Sequence, residues 1–148
     1  MKDNQKLSPP LQDHTITKEE AVFRTTQWRS VYKEKMQCKD EEILRAFLIP
    51  IEDIIELYNF YKEHTDLNIT GVRGYIGHNP LDPITPDMNI DMLLVPVTAA
   101  GKDVLELPPT VVKQLHLGSG GSTVYDFTQA CPTSCDTSSA LYSELNAL

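Results

Sequence analysis

The chain is poor in cysteine and in positive charge and has no long apolar run, and each shortage closes off a class of function. Its 148 residues hold three cysteines. So low and odd a count argues against a secreted disulfide framework. Thirteen Lys and Arg stand against 21 Asp and Glu, a formal charge of −8. Nucleic acid and anionic lipid are held by clustered positive charge, so neither is expected as a partner. The longest apolar run, residues 92–97, is interrupted by Pro96 and is far too short to cross a bilayer. The opening residues 1–6 lead into polar sequence instead of an apolar signal core, so a cytoplasmic protein is expected.

What is present fits a folded domain. The 41% apolar and 23% charged fractions are ordinary for globular proteins, and the length supports one hydrophobic core. Residues 1–14, with Pro9 and Pro10, read as a flexible leader, 15–136 as a single α+β domain, and 137–148 as a C-terminal tail. Thr17 three residues before Glu20 has the capping-box spacing, in which hydroxyl and carboxylate satisfy backbone N–H groups at a helix start. Behind it Ala21, Thr25, Trp28, Tyr32 and Met36 recur at helical spacing, with Trp28 expected to anchor that helix to the core.

Residues 43–49 alternate as a strand and Pro50 stops it. The next helix is the clearest, with an apolar stripe of Ile51, Ile54, Ile55, Tyr58 and Tyr61. Glu52 and Asp53 lie early in it and Lys62 and His64 late, matching the helix dipole. Residues 68–77 follow as a strand with Gly71, Gly74 and Gly77. Glycine weakens a strand unless something approaches closely, so a helix or the tail is expected to press on it. The proline-rich segment 78–89 reads as a loop, 90–97 as the central strand, and 103–107 as a short antiparallel return. A short helix is expected over 110–117, a flexible joint at 118–122 and a last strand over 124–127. The predicted fold is a small antiparallel sheet with two amphipathic helices on one face and an irregular cysteine-containing tail.

Chemistry concentrates in that tail. Cys131 and Cys135 lie four apart around Pro132, close enough on a helical turn to share a metal or form a bridge. As metal ligands they are half a site, because structural zinc takes four donors. The remainder would come from Cys38, His14, His64, His78, His116 or Asp126. The thioredoxin spacing is absent. Asp87, Asn89 and Asp91 reproduce the first three ligand positions of an EF-hand loop, but Met92 stands where its glycine belongs. The glycine-rich joint has no following Lys or helix to receive a phosphate. A Cys135–histidine pair, with His116 or His78 and an acid at Asp126 or Asp82, matches no nucleophile signature. No catalytic residue is assigned. Tyr125 and Phe127 alternate with Asp126 and Thr128, a pattern that docks the tail on the glycine-lined strand with residues 131–135 as a projecting tip.

Three stretches carry a resemblance. They are Phe47, Leu48, Ile49 and Pro50 leading into Ile51, Glu52 and Asp53; residues 71–77 followed by 93–97; and Val124, Tyr125, Asp126, Phe127 and Thr128 leading to Cys131, Pro132 and Cys135. Together they resemble an uncharacterised family of small bacterial proteins with a Tyr-Asp-Phe-Thr segment before a Cys-Pro and a second Cys. Ala130 stands where that pattern has proline. The resemblance implies a compact domain with a built tail and carries over no activity. The expected function is a non-enzymatic accessory or interaction module that meets a protein partner, or itself, through a sheet edge or the tail. The alternative is a zinc-binding or thiol-redox-responsive protein using Cys131 and Cys135.

Overall fold

A computed structural model describes residues 14–78, 90–115, 121–131 and 134–142. The leader up to residue 13, the proline-rich loop, most of the glycine-rich joint, Pro132 and the end of the tail lie outside the described residues. The fold is α+β, and its elements fall into two compact units, Met1–Asp40 with Asp136–Leu148 and Glu41–Cys135. None of the helices is long and apolar enough to cross a membrane, among the described residues.

The first unit is built on α1, Lys18–Met36. Thr17 caps it as the sequence predicts, its hydroxyl accepting from the Glu20 N–H at 3.1 Å. Gln37 ends it in a left-handed conformation (φ 51°). The buried face differs from the expected one. Trp28 is 48% exposed and meets the Tyr32 ring at a tilt, with centroids 5.3 Å apart, so it is not a core anchor. The buried residue is Arg29, whose guanidinium donates to the Leu141 carbonyl at 2.6 Å and the Thr26 hydroxyl at 2.9 Å. The charged group is buried with both terminal nitrogens donating to oxygens, a compensation that hydropathy patterning does not register.

The second unit contains the strands. Residues 43–49 yield only a short strand, β1 (Ala46–Leu48), because Ile43 and Leu44 turn into the core just before it. Leu48 is 50% exposed, so the expected burial alternation fails there. Pro50 is the N-cap of α2 (Ile51–Glu63). After a 3₁₀ turn, Asn68 takes a left-handed conformation that its side chain tolerates (φ 51°). It leads into β2 (Ile69–His78), which pairs antiparallel with β3 (Ile90–Thr98). A bulge between Ile69 and Gly71 precedes an unbroken register from Gly71 opposite Val97 to His78 opposite Ile90.

β3 is central, as expected, but its second neighbour is irregular. Gly101 (φ 75°) permits the tight return after β3, where Thr98 donates to the Lys102 carbonyl. The return then bonds β3 once more, Val104 N–H to Pro96 O at 2.9 Å. The expected strands over 103–107 and 124–127 are therefore isolated bridges, at Asp103 and Glu106 in the first and at Tyr125 in the second. A six-residue helix, α3 (Pro109–Gln114), buries Val111. Last comes β4 (Gln129–Cys131), antiparallel to β1. The strands thus form two two-stranded sheets instead of one continuous sheet. The core gathers Ile43, Leu44, Tyr61, Leu94, Val95, Pro96, Leu107, Val111 and Cys131.

Pro96 in a central strand looks misplaced, since it removes a ladder donor. The structure resolves this with Thr123, fully buried, whose hydroxyl donates to the Val104 carbonyl. That carbonyl faces Pro96, where an N–H would otherwise stand. One threonine side chain supplies the missing donor.

Candidate functional site

The tail motif closes the fold. Tyr125 exchanges both backbone bonds with Leu94, at 2.9 Å each way. Thr128 imitates a strand neighbour with its side chain alone. Its hydroxyl donates to the Met92 carbonyl at 2.9 Å and accepts from the Met92 N–H at 3.2 Å. β4 then runs along β1, with Arg45 N–H donating to the Cys131 carbonyl at 2.8 Å. The alternation of Tyr125 to Thr128 does dock the tail, but on β3 and not on the glycine-lined β2. Nor is Cys131 at a projecting tip, being 3% exposed within β4.

Cys131 and Cys135 are joined in a disulfide with their Cα atoms 5.0 Å apart. Bridged sulfurs are not thiolates, the form in which cysteine ligates zinc. A zinc site at this pair therefore belongs to its reduced state alone. Cys38 is a free thiol in the first unit. His64 sits at the C-cap of α2 with its ring 4.6 Å from Phe60, the helix-end position the sequence predicts. His78 ends β2, and His116, Asp87 and Asn89 lie outside the described residues. Among the described residues no three His, Cys, Asp or Glu side chains are grouped to hold a metal.

Charged groups converge elsewhere, on one face of β2. Arg73 and Tyr75 both donate to the Asp103 carboxylate, and Arg73 reaches the Gly101 carbonyl at 3.2 Å. Both carboxylate oxygens are thereby occupied, so this exposed cluster ties the β2 strand to the turn after β3.

A trough of about 480 Å³ lies between α2 and the start of β2. That is a ligand-sized volume. Ile54, Tyr58, Tyr61 and Lys62 form the helix wall, and Ile69 and Val72 the strand wall. The apolar stripe of α2 splits to make it. Tyr61 turns inward and is 7% exposed, its phenol hydrogen-bonded to that of Tyr125 at 2.8 Å. Burial, then that hydrogen bond, pushes the Tyr61 phenol well above the usual tyrosine range. Ile51, Ile55 and Tyr58 remain 63%, 51% and 60% exposed. Val72 and Ile76 on β2 are exposed as well.

Sequence reasoning missed the trough because it placed the amphipathic α2 on a face of the sheet and did not divide its stripe into a covered and an open part. Ile51, Ile54, Ile55, Tyr58 and Tyr61 span about 120° of the helix surface, an ordinary width for a packed apolar face, so the sequence carries no mark of the split. The glycines were misread in part too. A Cβ at Gly74 would meet Met92 Sδ at 2.7 Å, so the crowding comes from a cross-strand side chain and not from a helix or the tail. At Gly71, beside the trough, a Cβ would meet nothing. No protein-family model, curated protein or solved structure matches the chain.

Proposed function

We propose that the chain is a non-enzymatic accessory or protein-interaction module that receives its partner along α2 and β2. The observation that carries this reading is the apolar surface left uncovered on two adjoining elements, Ile51, Ile55 and Tyr58 on one and Val72 and Ile76 on the other. Exposed apolar area concentrated beside a concavity favours docking over solvation. The trough lining adds no histidine, cysteine or carboxylate among the described residues, and its one cation is Lys62. Such a lining binds by shape and burial. The reading includes a cytoplasmic location. Selection of short random peptides on the immobilised protein tests it. Apolar, strand-forming sequences should be enriched and should lose at least tenfold in affinity on Tyr58→Asp, a substitution at an exposed position. An absence of enriched sequences, or ligands indifferent to Tyr58→Asp, overturns it.

The second reading, a thiol-redox response, draws on the disulfide. A bridge in the cytoplasm is ordinarily a reversible one. Thiol titration of the native protein should then return Cys38 alone after mild oxidation and all three cysteines after treatment with a dithiol reductant. Metal retained by the reduced protein, measured by elemental analysis, would turn this reading toward zinc.

A further inference from the structure

The hydrogen-bonding phase of the central strand determines which backbone groups β2 turns outward. In an antiparallel pair, residues alternate between bonding toward one neighbour and toward the other. Leu94 gives both its backbone bonds to Tyr125, the Pro96 carbonyl accepts from Val104, and both backbone groups of Met92 are engaged by Thr128. These three residues therefore bond away from β2. Their partners across the ladder are Gly74, Val72 and Ile76. Each of those must direct its N–H and C=O away from β3, out of the sheet. β2 thus offers an evenly spaced row of donors and acceptors, while the other side of β3 is closed by Val104, Tyr125 and Thr128.

Natural sheets protect such an edge with lysine, proline, a bulge or inward charge. Between Gly71 and His78 the strand has none of the first three, and its one cation, Arg73, is drawn back over the sheet to Asp103 and Gly101. The residues along the edge are also self-complementary. An antiparallel copy centred on Gly74 sets Val72 beside the partner's Ile76, Gly74 beside the partner's Gly74 and Ile76 beside the partner's Val72. All three pairs are in bonding phase, with two backbone bonds per pair. Both apolar pairs lie on the sheet face that carries Leu94 and Tyr125, the face on which Tyr61 of α2 meets Tyr125. On the opposite face the same register sets Arg73 beside the partner's Tyr75, a cation against an aromatic ring. A slip of two residues would place one of the apolar side chains beside glycine instead.

We propose that the partner of this surface is a second copy of the chain, joined edge to edge through β2 about a two-fold axis at Gly74. This rests on the reading of α2 and β2 as an interaction surface and names its occupant. The contact is isologous, so it closes at two copies. Each copy carries a formal charge of −8, so the pair is opposed by long-range repulsion that salt screens.

Sedimentation of the full chain across a concentration series tests this. A monomer–dimer equilibrium is expected, shifting toward dimer as salt rises. Ile76→Lys, at a position already 62% exposed, should weaken it at least tenfold without altering the circular dichroism spectrum. The double variant Val72→Glu/Ile76→Lys should recover dimer, because the register sets the two introduced charges against each other twice. Wild-type protein that stays monomeric to millimolar concentration overturns the proposal, as does a dimer indifferent to Ile76→Lys. A dimer weakened by the single variant and not recovered by the double overturns the register. A monomer that still selects peptides sensitive to Tyr58→Asp overturns the second copy as occupant while leaving the interaction reading standing.

Discussion

β2 and β3 face each other residue for residue, yet they live in different environments. β3 buries Leu94, Val95 and Pro96 and is bonded on both sides, whereas β2 is exposed along nearly its whole length. The difference does not come from pairing, which is shared. It comes from what lies beyond each strand: a threonine hydroxyl, a tyrosine backbone and a turn close β3, while among the described residues β2 pairs with β3 alone. A strand's stability contribution is thus set by its second neighbour and by the face it buries, not by its length.

That contrast predicts a steep gradient of mutational cost. Leu94→Ala removes a 3%-exposed side chain from the centre of β3 and should cost about 3 kcal/mol in chemical denaturation, the usual range for a large-to-small change in a core. Thr123→Val keeps the shape but leaves the Val104 carbonyl without its hydroxyl donor. A loss of about 2 kcal/mol is expected, from an acceptor left unsatisfied in the interior. Were Thr123→Val neutral, the compensation for Pro96 would lie elsewhere.

A reduced Cys131–Cys135 pair should lower stability by about 2 kcal/mol on the chain-entropy scale for so short a loop. Guanidinium melts with and without a dithiol reductant measure this. The Tyr61–Tyr125 contact adds a pH signature. The Tyr61 phenol holds its proton more firmly folded than unfolded, so its contribution is complete below the ordinary tyrosine value of about 10. It is lost as pH rises above that value, where the unfolded chain ionises first. Tyr61→Phe should flatten that alkaline limb. At the bottom of the gradient, Val72→Ala and Ile76→Ala on the β2 edge should each change monomer stability by less than about 0.5 kcal/mol. Larger losses there would show that β2 is covered after all.

The sequence declared several of these features through local chemistry. Thr17 and Glu20 mark the start of α1, the glycine at 101 marks the return after β3, and the apolar run from Ile90 marks the buried strand. Local signals of this kind work because a cap, a turn or a strand is decided by residues a few positions apart. The candidate surface was half legible, since the α2 stripe was visible while its division between core and trough was not. Whether Tyr61 or Tyr58 is buried depends on where Tyr125 arrives, from 64 residues away.

The same distinction separates what the amino-acid order determined alone from what folding decided. Composition and periodicity determined an acidic α+β chain with two helices, an apolar central strand and a cysteine-bearing tail, because each follows from short-range patterning. Tertiary structure decided that Arg29 is buried while Trp28 is not, that Thr123 compensates Pro96, and that the tail closes β3 and leaves β2 open. Those outcomes depend on which distant backbone groups find partners, and hydrogen-bond satisfaction in the interior is a property of the assembled chain.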